Sequence, residues 1–367
     1  CMSGGGAGLG DGMWGASYPA MGLGNPAGLV AGLQSVYHNP DGKAGRAGMY
    51  LDEEDDFDEA RAALEAYLAA PGQGSVKRAE LALATAERLA GQAGAETLVG
   101  VWEQVSRAQQ AIGQVRQKGF SHPFLACTMV ARWLVRPLVP RPDQLTRQET
   151  AHYRDVMFAT EANRDNPSFS LVAGKGVFRG ESVTWMARWS LFEASQGLRA
   201  ARGTVLGLAE RAEDEAARVR MRLYAARIGV LACLAETVKN TIMYQYALDT
   251  AGQPQYGPNM MHYDDNIVYD MRTLNLRKIA REELDNIGLL VELIEAAPGK
   301  AIAYASAPDE ENPFMYGPDL VAQLRRKMTI MMDHWQDYER LYPTTKVWDF
   351  EPPERGNIVA TGSAPTT

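Results

Sequence analysis

Two stretches of this chain place thioethers next to an imidazole. One is Met260-Met261-His262, and the other runs Met328-x-x-Met331-Met332-Asp333-His334. Soft sulfur with a histidine nitrogen is a donor set that suits Cu(I), so Met260, Met261, His262, Met331 and His334 are the candidate metal ligands. Methionine also fills irregular helical cores. With 16 methionines in the chain some adjacency to histidine is expected, and a core role is the competing account.

A carboxylate and an imidazole one helical turn apart occur at Glu149-x-x-His152. Helical di-iron sites use that spacing, but they need two such pairs and two further glutamates. The residues three before the other histidines are Ser35, Gly119, Asn259 and Met331, so no second pair exists. Glu149 and His152 are therefore expected to be a surface or capping pair. A third grouping is His262-Tyr263-Asp264-Asp265, with Tyr244, Tyr246, Tyr256 and Tyr269 nearby. Aromatic faces beside carboxylates suit polar ring ligands such as sugars. Tyr244, Tyr256, His262, Tyr263, Asp264 and Asp265 are the candidate ligand-binding residues. The competing account is a loop–helix junction covered by tyrosines, with Asp264 and Asp265 opening the next helix.

Weaker patterns are set aside on physical grounds. Gly10-x-Gly12-x-x-Gly15 matches a dinucleotide fingerprint in form but follows no strand and opens no helix. The acidic run 52–59 lacks the spaced oxygen ligands and turn glycine of a calcium loop. No Gly-x-Ser-x-Gly, His-Glu-x-x-His or phosphate-loop motif is present. No catalytic residue is assigned, and no cofactor is expected beyond a covalent lipid discussed below. A hydrolase or lyase built from distant residues is the reading that motifs do not address.

The elements that must position these groups are helical. Carboxylates at Asp52-Glu-Glu-Asp-Asp favour a helix start, Phe57, Ala60 and Leu64 give it an apolar stripe, and Pro71-Gly72 ends it. Further helices are expected over about 75–89 and 95–118. Glu181 to about Asp249 has a helical pattern in which Gly197, Gly203 and Gly207 mark a break or a close approach. Its later part carries a seam of Ala212, Ala216, Val219, Leu223, Ala226, Val230 and Cys233, with an Asp214–Arg218 charge pair on the solvated side. Leu276, Ala280, Ile287, Val291 and Ile294 line another helix, which stops at Pro298-Gly299. Leu320, Leu324, Met328, Met331, Trp335 and Tyr338 line the last. No alternating strand pattern recurs. The fold class is all-α, a multi-helix bundle or irregular helical array with a Gly-rich N-terminal arm. The expected organisation is an arm over 1–50, a helical region over 51–135 and a Pro/Gly-rich connector over 136–180. A helical bundle over 181–345 and an extended tail over 346–367 complete it.

A formal charge of −8, from 37 basic and 45 acidic side chains, argues against a nucleic-acid partner. No apolar run approaches the roughly 20 residues a spanning helix needs. The most apolar stretch, Ile228 to Leu234, reads as the core segment of a helix. Cys127 and Cys233 both sit in apolar surroundings and read as small core residues, too few to define a disulfide framework.

Cys1 stands before Met2 and is followed by Ser3-Gly-Gly-Gly-Ala-Gly-Leu-Gly. In this respect the chain resembles mature bacterial lipoproteins, a likeness confined to the cysteine and its flexible tether. The resemblance implies a lipid on Cys1 and a place in the bacterial cell envelope, anchored at the periplasmic or outer-surface side. The expected role is a scaffold or accessory subunit of an envelope protein assembly, with the membrane and protein partners as its contacts. The alternative is a helical ligand-binding lipoprotein for a sugar or a soft metal such as copper.

Overall fold

The computed structural model describes residues 83–84, 86–119, 133–141, 144–153, 181–250, 265–302, 304–305, 307–311 and 316–337. The chain is all-α: the described residues form helices and contain no strand, only an isolated parallel bridge between Tyr304 and Tyr316. The helices are α1 (Gln92–Gly119), α2 (Arg147–Tyr153), α3 (Glu181–Arg211), α4 (Glu215–Thr250), α5 (Asp265–Ala296) and α6 (Leu320–Asp333). Short 3-10 turns lie at Trp133–Val135 and Pro308–Glu310. No described helix is long and apolar enough to cross a membrane. The expected helices over 52–71 and the arm and tail lie outside the described residues.

Two compact units divide the chain. The first comprises Cys1–Gly113, Glu193–Ala232 and Leu293–Pro318, and the second Gln114–Phe192, Cys233–Glu292 and Asp319–Thr367.

In the first unit, Gly91 separates helical residues 86–90 from α1. Its φ of 71° lies in the left-handed region that glycine adopts at no steric cost. Its N–H donates to the Glu87 carbonyl at 2.9 Å, which closes the preceding turn. Ala95, Leu98, Val101, Trp102, Val105 and Ala108 then follow at intervals of three, three, one, three and three, one helical stripe, and are all buried. α3 buries Ala194, Leu198, Ala201, Val205 and Leu208 at alternating intervals of four and three.

The expectation that Gly197, Gly203 and Gly207 mark a break or a close approach is corrected. α3 runs through all three without interruption, and a Cβ at any of them would meet nothing within 4 Å. The break comes at Ala212-Glu213-Asp214, where the Asp214 carboxylate accepts from the N–H groups of Ala216 (3.3 Å) and Ala217 (3.0 Å). Asp214 is thus the cap of α4. It does not pair with Arg218, which instead bonds Glu215 and donates to the Ala212 carbonyl at 2.9 Å. The close approach falls on Gly229, where a Cβ would stand 2.8 Å from Leu293 Cδ1 and 3.1 Å from Arg202 Cδ. Alanine at Gly197, Gly203 or Gly207 removes the entropic cost of helical glycine with no clash. Each substitution is expected to stabilise by about 0.5–1 kcal/mol, read as a higher urea midpoint at unchanged slope. The same change at Gly229 should gain nothing, because the Leu293 side chain must give way.

The seam of α4 is also corrected. Leu223, Ala226, Val230 and Cys233 are buried as expected, but Ala216 and Val219 are exposed. From 223 to 244 every residue is buried, so burial there has no helical period at all. Ile228–Leu234 is core, and Cys233 is a buried free thiol.

In the second unit, Leu320, Leu324, Met328, Met331 and Trp335 form the buried stripe of α6, as their spacing predicts. Residues 133–140, which contain two prolines of the Arg136-Pro-Leu-Val-Pro-Arg stretch, are buried throughout. The Trp133–Val135 turn packs against α6. Among the described part of α5, Leu276, Ala280, Ile287 and Val291 are buried on one face.

Candidate functional site

α5 contributes the run Arg281-Glu282-Glu283, and α6 the run Arg325-Arg326-Lys327. Such charge runs normally lie in water. Here Glu283 and Lys327 are both fully buried and ion-paired with each other. Their positions explain it: Lys327 stands three residues after Leu324 and one before Met328, on the apolar face of α6, while Glu283 follows Ala280 by three on that of α5.

The pair is held by a set of neutral groups. The Thr237 hydroxyl donates to Glu283 Oε1 at 2.9 Å, and Asn240 Nδ2 donates to Glu283 Oε2 at 2.8 Å. Asn286 Nδ2 donates both to the Cys233 carbonyl (2.9 Å) and to Thr237 Oγ1 (3.0 Å). The Lys327 ammonium also donates to the backbone carbonyls of Leu134 (2.9 Å) and Trp133 (3.4 Å), the first two residues of the 3-10 turn. Burial pushes the Lys327 amine below its ordinary range. Glu283 opposes that shift, and the nearby Arg136 guanidinium adds to it. A second pair borders this one: Lys239 of α4 bonds Glu236 and stands 3.5 Å from Glu282. Consecutive carboxylates of α5 thus reach lysines on two different helices.

A separate cluster joins α2 to α6. His334 Nδ1 is 2.8 Å from Asp337 Oδ2, and its Nε2 is 3.1 Å from Glu149 Oε1. Glu149 also caps α2. Its Oε2 accepts from the Thr146 N–H at 2.7 Å, and its own N–H donates to Thr146 Oγ1 at 3.2 Å. This is the reciprocal Thr-x-x-Glu capping box. Glu149 thus caps α2 and meets the imidazole of His334; the side chain of His152, its expected partner, lies outside the described residues. Two further bonds fasten α2: the Tyr153 hydroxyl donates to the Gln323 carbonyl (2.9 Å), and Arg326 donates to the Gln148 carbonyl (2.6 Å).

Partial burial works to raise the Glu149 carboxyl, but hydrogen bonds from Thr146 and the neighbouring His334 outweigh it and hold the group below its ordinary value. A carboxylate with a depressed folded value stabilises above the unfolded value and loses that contribution as pH falls through the folded one. Part of the acid destabilisation, below pH 4.5, is thus expected to come from Glu149. Glu149→Gln should remove that part of the stability–pH curve while leaving the rest, as urea midpoints from pH 3 to 7 would read.

The residues singled out by sequence fall as follows. Tyr244 is fully buried in α4, on the same helical stripe as Thr237, Asn240 and Thr241, and Asp265 is the first residue of α5. Tyr256, Met260, Met261, His262, Tyr263 and Asp264 lie outside the described residues, as does Cys1. Met331 is buried in the α6 stripe, and both ring nitrogens of His334 face carboxylate oxygens. Among the described residues, no group of three or more His, Cys, Asp or Glu side chains is arranged to hold a metal. Sequence reasoning missed Glu283 and Lys327. The signal that could have found them is their place on the apolar faces of α5 and α6.

On the surface, two large aromatic side chains are left in solvent. Trp189 is 59% exposed and Phe192 is 42% exposed. They stand one turn apart on α3, with ring centroids 6.2 Å apart and planes at 87°. The chain matches no protein-family model, no curated protein and no solved structure.

Proposed function

We propose that this chain is a helical scaffold or accessory subunit that docks a protein partner through the Trp189–Phe192 face. The exposed aromatic pair carries this reading. Aromatic side chains standing in water on one helix face are the residue types that anchor protein interfaces, tryptophan and tyrosine above all. The division of labour among side chains supports the same reading. The Glu283 carboxylate, the Lys327 ammonium, the Thr237 hydroxyl and the Nδ2 groups of Asn240 and Asn286 bond each other and backbone carbonyls, which binds helices together.

Cross-linking in the native cell, with a photoreactive residue at position 189, should give one dominant protein adduct. A ladder of unrelated adducts, or none, would reject the docking role.

A further inference from the structure

Thr237, Asn240, Thr241 and Tyr244 recur at intervals of three, one and three along α4, so they share one stripe, and all four are buried. The orientations of the two amides next to Glu283 are fixed by what they donate to. Asn240 Nδ2 points at the Glu283 carboxylate, and Asn286 Nδ2 at the Cys233 carbonyl and Thr237 Oγ1. Turning either amide over would set an oxygen against an acceptor-only oxygen. Their carbonyl oxygens, Asn240 Oδ1 and Asn286 Oδ1, are therefore committed as acceptors. Both are buried and receive no hydrogen bond among the described residues, and neither does Thr241 Oγ1. Leaving a buried polar atom unsatisfied costs about 1–3 kcal/mol, so the two amide oxygens call for a donor and the Thr241 hydroxyl for a partner.

The chemistry of that donor is constrained. The two amide oxygens only accept, whereas the Thr241 hydroxyl can also donate, so an anion set against both amide oxygens is excluded. Lys327 already pairs with Glu283, and the Arg136 charge acts on Lys327 beside it, so a further cation is disfavoured. We propose that Asn240, Thr241 and Asn286 line an internal site in the second unit that takes a neutral hydrogen-bond donor of the size of water and hydrates the Glu283–Lys327 pair. Buried waters characteristically make about three hydrogen bonds to such groups. Two amide oxygens and a hydroxyl supply that number. Hydration of this kind satisfies the atoms around a buried ion pair and so reduces the penalty of keeping it in the core.

A crystal structure of the full chain at high resolution should show density about 2.7–3.2 Å from Asn240 Oδ1 and Asn286 Oδ1. In solution, the side-chain amide protons of both residues should give cross-peaks to water of the sign expected for long residence. Asn286→Leu should abolish the cross-peak at Asn240 while leaving the folded spectrum. Two results would overturn the proposal. One is an ordered core without such density, in which both amide oxygens meet groups of the chain. The other is a denaturation midpoint that climbs with potassium or sodium chloride but not with matched choline chloride, which would assign the site to a cation.

Discussion

Lys327→Met is expected to be among the most damaging single substitutions in the chain, lowering stability by about 3–5 kcal/mol. The loss does not measure the strength of the bond between Lys327 and Glu283. It measures what Glu283 becomes without it: a carboxylate with no exposure to water, still bonded by Thr237 and Asn240 but with its cation gone. The carbonyls of Trp133 and Leu134 lose their donor in the same step. Two companion variants separate these causes. Arg325→Met changes the same type of charge two residues away at an exposed position, and should shift stability by less than about 0.5 kcal/mol. Glu283→Gln combined with Lys327→Met removes both charges and should recover much of the loss, because an uncharged amide still accepts from Thr237. Urea midpoints of the three variants decide the matter. Equal losses in the single and double variants would mean that packing, not charge, sets the cost.

The second large effect is expected in binding with stability unchanged. Trp189→Ala removes the most exposed aromatic side chain among the described residues and leaves no cavity. Truncating an interface anchor of this type costs about 2 kcal/mol or more, which is roughly a thirtyfold or greater loss of affinity. Phe192→Ala alone should cost less, and the double variant should cost less than the sum, because the rings contact one another. The measurement is the affinity of the purified chain for the partner captured by cross-linking, with the urea midpoint as control. A variant that binds normally, or one that unfolds, would place the aromatic pair outside any interface.

The sequence carries the architecture well where burial is one-sided. The α6 stripe follows from its spacing alone, and so do the limits of α1 to within a few residues. The glycines of α3 misled for a physical reason: helix propensity disfavours them by only about 1 kcal/mol each, and tertiary packing of the opposite face overrides that. The buried ion pair was invisible for a different reason. Lys327 follows two arginines and Glu283 follows a glutamate, and a charge run reads as a solvated face. Only their place on an apolar stripe distinguishes them, and that becomes decisive once the two helices lie together. The Asp214 cap and the Glu149 capping box were half legible. Their residue types announce helix starts, but the other contacts of these helix starts, Arg218 with Glu215 and Glu149 with His334, are settled in three dimensions.

The middle of α4, with water on no side, has a consequence for how the gene can drift. On an ordinary amphipathic helix, neutral change collects at every third or fourth codon, where side chains face solvent. Between 223 and 244 no such refuge exists, so a saturation library should show intolerance spread evenly, without rhythm, across the whole interval. Where a polar residue such as Asn240 or Lys239 is replaced, survival should come through compensating change on α5 more readily than through any single substitution.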